Sequence, residues 1–411
     1  MLQCSILLLI GTNVSKTQAQ RFFSQAMRKA TQLTQMGALM DATRLIQRAL
    51  GGAAQPARPQ TQPKPRPAHA ANDAQIEDVE ARIIDMPAPQ RQKPQTEPVT
   101  EPVVEPATQP VRPARKASFT ESVFLFEGAQ YPYRLFVPAA PETSVETSAP
   151  PMPLIVLLHG CKQNAQDFAR GTAMNGLAGQ QQCMVLYPEQ ISSANAARCW
   201  NWFEPGHQKA GRGEPGMIAA LTQKVLASNY QGQQADSQRV YIAGLSAGGA
   251  MAAVVTGLYP DMFAALGVHS GLAAGAAQDL MSAFSAMRKG AKGRTSPALP
   301  TIVFHGAADT TVHPDNGEHI TDAALAALQA SGLVLVESKS KVSSASDQLA
   351  ERVVYSAADG TPYVESWLVD AGPHAWSGGN AAGSYTNPDG PDASAALLAF
   401  FLQHKKSQPE S

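Results

Sequence analysis

The chain has 411 residues, with 32 Lys and Arg against 33 Asp and Glu and a net charge of −1. That balance excludes the basic footprint of a nucleic-acid binder and offers no charge-driven adhesion to an anionic membrane. The length allows a large core and two or three structural units. No apolar run approaches the ~20 residues that a membrane-spanning helix needs, and Cys4, Cys161, Cys183 and Cys199 are too few for a disulfide scaffold.

Near the N-terminus, Ile6 to Ile10 is unbroken apolar sequence. No Lys or Arg precedes it, and it falls short of the roughly 7 to 15 residues of a signal h-region. A short extension is expected there rather than an export signal. Phe22, Met27, Ala30 and Leu33, then Leu39, Ala42, Leu45, Ile46 and Leu50, recur at helical spacing, with a break at Met36-Gly37 and a stop at Gly51-Gly52. This predicts an N-terminal extension over 1–52 holding a small helical hairpin, either weakly stable or a contact for a partner. Residues 53–117 are rich in Pro, Gln, Thr and charge and nearly free of aromatics. Such a segment cannot bury enough apolar surface to offset its ordering entropy, so it is expected to be a disordered, extended linker.

From residue 118 to about 405, short apolar runs ended by Gly or Pro alternate with helical stretches. SVFLFEGAQYPYRLFVP predicts a hairpin turning near Gly128. MPLIVLLHG, CMVLYP, RVYIAG and LPTIVFHG read as buried parallel strands. MIAALTQKVLASNY and AGGAMAAVVTGLYP read as helices, RVVYSAADGTPYVESWLVD as a second hairpin, and DASAALLAFFLQHKK as a closing helix. The alternation predicts an α/β fold with a mostly parallel, doubly wound sheet, whose chemistry belongs at the carboxyl ends of its strands.

One such end reads Gly244-Leu245-Ser246-Ala247-Gly248, between a strand and a helix. G-x-S-x-G in that context is a nucleophile elbow: small residues on either side of the serine let strand and helix approach while the turn lifts Oγ clear of the sheet. A serine nucleophile needs a base, and the base an orienting carboxylate. In the order Ser, acid, His that α/β-hydrolases use, Asp309 in HGAADTTV and His374 in AGPHAWSGG both follow predicted strands. Asp370 and Asp315 are the reserve acids; His269, His305, His313 and His404 are weaker bases by position. The oxyanion of a tetrahedral intermediate would be held by the amide of Ala247 and by that of Cys161 in the loop His159-Gly160-Cys161-Lys162. The cysteines lack zinc-type spacing, no phosphate-binding loop is present, and no metal or cofactor is expected.

Three stretches, LHGCKQNAQDFA (158–169), YPEQISSANAARCWNWFEPGHQ (187–208) and VYIAGLSAGGAMAAVV (240–255), together resemble the polyhydroxybutyrate depolymerase-type esterases of the α/β-hydrolase superfamily, relatives of feruloyl and acetylxylan esterases. The resemblance covers about residues 118–400. It implies the α/β-hydrolase fold, Ser246, Asp309 and His374 as the triad, and a bridge between Cys161 and Cys199. It also implies a serine carboxylic-ester hydrolase for short-chain esters or polyhydroxyalkanoate oligomers. The alternatives are a feruloyl- or acetylxylan-type esterase and a module of weak hydrolase activity tethered to a partner or polyester granule through the N-terminal hairpin. Trp200, Asn201, Trp202 and Trp376 are expected to wall the substrate site. The block Ala210 to Gly216 departs from the family by having Pro-Gly after Gly-Glu, which bears on local packing. The chain runs only about forty residues past His374. Family members commonly carry a polymer-binding domain there, so soluble esters are expected ahead of crystalline polymer. Family and bridge point to an oxidising, extracellular compartment, whereas the N-terminus points to the cytoplasm.

Overall fold

Strand residues that are apolar at every position have to be buried on both faces, and the apolar runs after residue 150 become the centre of one sheet. The computed structural model describes residues 111–406, apart from 113, 141–142, 145–149, 231 and 295. The helical hairpin expected within 19–50, most of the linker and Cys4 lie outside the described residues. The strands are β1 (Ser118–Phe126), β2 (Ala129–Val137), β3 (Met152–Leu158), β4 (Met184–Pro188), β5 (Ala235–Leu245), β6 (Ala265–His269), β7 (Thr301–Gly306), β8 (Val336–Ser343), β9 (Leu349–Ser356) and β10 (Pro362–Val369). They form a ten-stranded sheet in the order β8-β9-β10-β7-β6-β5-β3-β4-β2-β1. From β10 to β4 all neighbours are parallel, and antiparallel pairs flank this block at both ends.

Alternation along each strand assigns the two faces. Leu154, Val156 and Leu158 of β3 face helices α3 (Gly213–Ala227) and α4 (Ala247–Leu258), where Met217, Leu221 and Met251 meet them. Ile155 and Leu157 face the other way, against α1 (Ala165–Thr172), α2 (Met174–Gln180) and α7 (Ala393–Phe401), with Phe168, Met174 and Phe401. Helices α5 (Leu280–Lys289) and α6 (Asp315–Ala330) complete the order. The large mostly parallel sheet with helices on both faces is the α/β-hydrolase architecture.

Within 53–117, expected to be linker, residues 111–117 apart from 113 are described, and some of them are paired. Val111–Arg112 pairs with Thr143–Ser144, Arg115 bridges to Ala140, and the Arg115 guanidinium donates to the carbonyls of Tyr230 and Pro138. Strand β8, VESKSKVS, was not expected either: it is an edge strand, polar and almost wholly exposed, so it carries no alternation to read.

Candidate active site

Ser246, Asp309 and His374 each follow the carboxyl end of a parallel strand: β5, β7 and β10. At the end of β5, Ser246 takes φ 56° and ψ −119° before α4 begins, a backbone conformation that costs a non-glycine residue on the order of 1–3 kcal/mol. Two glycines permit the turn. A Cβ on Gly244 would lie 2.7 Å from the Leu158 carbonyl oxygen, and one on Gly248 would overlap that same oxygen. The Ser246 amide donates to the carbonyl of His269 (2.8 Å), pinning the turn to the end of β6.

The loops after β7 and β10 are laced together by Ala307 N–H to Val369 O (2.9 Å) and Ala308 N–H to Gly372 O (3.0 Å). This brings Asp309 to His374: Oδ2 of the acid lies 2.7 Å from Nδ1, and Nε2 of the imidazole lies 2.9 Å from Ser246 Oγ. The other carboxylate oxygen of Asp309 accepts the amides of Thr311 (2.9 Å) and Val312 (2.8 Å). Burial pushes the Asp309 carboxyl up, but hydrogen bonds from His305, His374 and the Val312 amide outweigh it and hold the group well below the usual carboxylate range. His305 Nε2 stands 2.8 Å from the Val312 carbonyl oxygen and 3.5 Å from Asp309 Oδ2, so its one N–H serves mainly the carbonyl. With the Asp309 contact fixing a proton on Nδ1, His374 presents a lone pair on Nε2 to the serine hydroxyl.

The remaining histidines fall into supporting places. His269 Nε2 accepts the Ser377 amide (2.9 Å), its ring stacks on Trp376 and Phe304, and burial lowers its pKa to about 3. It therefore ties the serine turn to the segment following His374 as a neutral ring. His313 is exposed beside Asp315, and His404 is buried past the end of α7, against Phe400 and Tyr363. Asp370 is exposed, with its carbonyl accepting from Gln348. Among the described residues, none of these side chains is hydrogen-bonded to Ser246 or His374.

Cys161 and Ala247 supply backbone amides with no hydrogen-bond acceptor among the described residues. The loop carrying Cys161 is braced closely. His159 is fully buried, and its Nε2 accepts the Gln190 amide (3.1 Å), so Nδ1 carries the proton and donates to the Gly160 carbonyl (2.7 Å). Burial lowers the His159 pKa to about 4, keeping the ring neutral. Trp200 Nε1 donates to the His159 carbonyl (3.0 Å), the Lys162 amide to Ala197 (2.7 Å), and a disulfide joins Cys161 to Cys199. On the opposite side, Gln163 accepts the Gly160 amide (2.9 Å) and donates to the Ser384 carbonyl (2.9 Å). Cys183 is a free, buried thiol, pushed up to about 12 by burial.

The expected aromatic wall is corrected by burial. Trp200 is closed off completely beneath the Cys161 loop, and Trp376 is sealed between His269 and Phe168 with its N–H on Ser394. Trp202 is nearly buried and stacks edge-on to Phe203, and the Asn201 side chain is spent on Glu214 and Asn195. These residues shape the site from behind. Sequence reasoning also passed over Glu214, in the Gly-Glu-Pro-Gly block that departs from the family. Its carboxylate is fully buried and accepts Asn201 N–H (2.7 Å), Asn201 Nδ2 (2.6 Å) and Gln190 Nε2 (2.6 Å). Burial pushes this carboxyl up, opposed by His207 and by those N–H donors.

Residues 132–344 match the family model described as Esterase PHB depolymerase, a span that takes in Ser246 and Asp309 and stops short of His374. Poly(3-hydroxyalkanoate) depolymerase C of Paucimonas lemoignei is 32% identical over 233 residues, 53% of this chain and 53% of the relative. Feruloyl esterase B of Thermothelomyces thermophilus is 31% identical over 186 residues, 40% of this chain and 62% of the relative. The chain thus spans about half to three-fifths of the length of these curated relatives. Among solved structures, an acetyl xylan esterase from Aspergillus awamori superposes with a TM-score of 0.51 at 18% identity, over 70% of this chain and 99% of that one, a likeness of fold. With the family match covering just over half of the 411 residues, the chain belongs to the esterase PHB depolymerase family of α/β-hydrolases.

Proposed function

We propose that the protein hydrolyses carboxylic esters of small or oligomeric substrates through an acyl-enzyme on Ser246. The observation that carries this reading is the unbroken hydrogen-bond chain from Ser246 Oγ through His374 to Asp309, built on a positive-φ turn that sets the serine at the helix start. Ser246 Oγ attacks the ester carbonyl carbon as His374 Nε2 takes its proton. The carbonyl π electrons move onto oxygen, and the amides of Cys161 and Ala247 hold the resulting oxyanion. Asp309 stabilises the imidazolium without itself taking the proton. Collapse expels the alcohol, which receives its proton from His374 and leaves an acyl ester on Ser246. Water, deprotonated by the same imidazole, repeats the sequence and frees the acid.

The relatives' names divide between polyhydroxyalkanoate depolymerases and feruloyl or acetylxylan esterases, and a carboxylic ester is the bond their substrates share. The test treats the full chain and its Ser246→Ala variant with a fluorophosphonate, maps the adduct by mass spectrometry, and assays hydroxyacyl oligomers, acetyl esters and feruloyl esters. Adduct on Ser246 alone, with turnover of one ester class lost in the variant, is expected. A folded protein that neither labels nor turns over any ester would overturn the reading.

A further inference from the structure

Glu214 is a carboxyl group taken wholly out of water that does not touch the triad; its ionisable neighbour is His207, whose Nδ1 lies 3.8 Å from Oε2, and no lysine or arginine among the described residues pairs with it. Leaving a charge in such a place costs several kcal/mol unless its lone pairs are met. All three of its short contacts are N–H donors, from two separate segments: Gln190 after β4, and Asn201 in the CWNW stretch. The carboxylate itself is held at the first turn of α3, whose Glu214 amide donates to His207 Nδ1 (3.0 Å).

Both segments run on to the loop of Cys161. The Gln190 amide donates to His159 Nε2, and its side-chain amide also holds the Cys199 carbonyl (3.1 Å). Cys199 is bonded to Cys161, and neighbouring Trp200 holds the His159 carbonyl. His159 Nδ1 in turn holds the Gly160 carbonyl, which also accepts the Gln163 amide (3.3 Å). In a trans peptide the carbonyl of one residue and the N–H of the next point to opposite sides of one rigid plane. Fixing the Gly160 oxygen therefore fixes the direction of the Cys161 N–H.

We infer that Glu214 is a positioning residue: a buried hydrogen-bond-accepting post that, through Gln190, His159 and the Cys199–Asn201 segment, sets the peptide plane presenting the Cys161 amide to the oxyanion. The inference rests on the oxyanion role proposed for Cys161. Glutamine has the same length but offers one acceptor and two donors, so at least one of the three N–H groups would face another N–H.

The experiment compares the full chain with Glu214→Gln and Gln190→Met, using Val225→Ala in the same helix α3 as a folding control, since Val225 is buried in the core away from this network. Amide exchange needs no substrate: peptides covering 159–163 are expected to exchange about 10-fold faster in both network variants than in the control, with the β3 and β5 cores unchanged. With the best ester of the panel, kcat is expected to fall about 10-fold or more while KM stays within about 2-fold, the signature of a contact made in the transition state. Should Glu214→Gln not fold, Gln190→Met alone decides. Exchange at 159–163 matching the Val225→Ala control would overturn the inference, as would a rise in KM with kcat intact. If Ser246→Ala leaves ester turnover unchanged, the hydrolase reading fails by itself, and the exchange result still decides whether Glu214 anchors the loop.

Discussion

Gly248 lies so close beneath Leu158 that one added carbon on its α-position would overlap the Leu158 carbonyl oxygen and sit 2.6 Å from that of His159. The obstacle is backbone on both sides, the first turn of α4 against the end of β3, and backbone cannot swing away as a side chain can. Gly248→Ala is therefore expected to destabilise the protein by at least about 3 kcal/mol, at or beyond the upper end of ordinary overpacking. Gly176, exposed inside α2 with nothing within 4 Å of an added Cβ, is the control. Alanine there should stabilise by about 0.5–1 kcal/mol. Denaturant midpoints of the two variants check the pair, and a mild Gly248→Ala would mean that the strand and helix separate more readily than their packing indicates.

Asp309→Asn isolates the orienting role of the carboxylate. Its Oδ1 already accepts two backbone amides, so the carbonyl oxygen of asparagine keeps that place and its NH2 faces His374 Nδ1. The imidazole must then carry its proton on Nε2, where the serine hydroxyl needs a lone pair. The expected loss in kcat is about 10⁴-fold near neutral pH, with the fold intact by circular dichroism. A variant within ten-fold of wild type would remove Asp309 from the proposed mechanism.

The bridge between Cys161 and Cys199 closes a loop with a sequence separation of 38. Restricting the unfolded chain by a loop of that size corresponds to about 3–4 kcal/mol in the chain-entropy account. Replacing both cysteines with alanine should lower unfolding free energy by that amount and depress kcat, because the proposed oxyanion donor is the backbone amide of the same residue. A stability loss under about 1 kcal/mol would shift the work of ordering the loop to its hydrogen bonds.

The buried neutral histidines make stability depend on pH in a defined direction. His159, His269 and His404 have pKa values lowered by burial to about 4, about 3 and about 4, from an ordinary 6.5. Below 6.5 the unfolded chain binds protons that the folded chain refuses, so stability rises with pH across this window. Their contribution is complete above pH 6.5 and is lost as pH falls towards 4 and 3. For His159 alone the difference is on the order of 3 kcal/mol. Melting midpoints measured from pH 8 to 4 should fall steadily below about 6.5; a flat profile between 7 and 5 would show that these rings already admit a proton in the folded state.

The parts legible in the sequence were those where local pattern and burial coincide. β3, β4 and β7 are continuous apolar runs because both faces are covered, and the Ser246 turn announces itself through Gly244 and Gly248. Asp309 and His374 stood out by chain order and by following strands, and the structure brings both to Ser246. What stayed illegible depends on contacts distant in sequence. A glutamate between Gly213 and Pro215 gives no sign that three N–H donors from two other segments will surround it. Trp200 and Trp376 look the same as sequence whether they face a substrate or fill a core, and here their indole N–H groups are committed inside. β8 is an exposed edge whose partner, β9, supplies the order that its own side chains do not encode.

The φ of 56° at Ser246 also restricts which hydroxyl the site can use. Threonine has the same functional group, but its β-branch is a genuine outlier at positive φ. Restoring an ordinary φ would turn Oγ away from His374. Cysteine and glycine both fit the turn, one exchanging the attacking atom and the other deleting it. Among hydroxyl residues, then, replacement at position 246 is barred by stereochemistry before reactivity is ever compared: the main chain has narrowed the choice to serine.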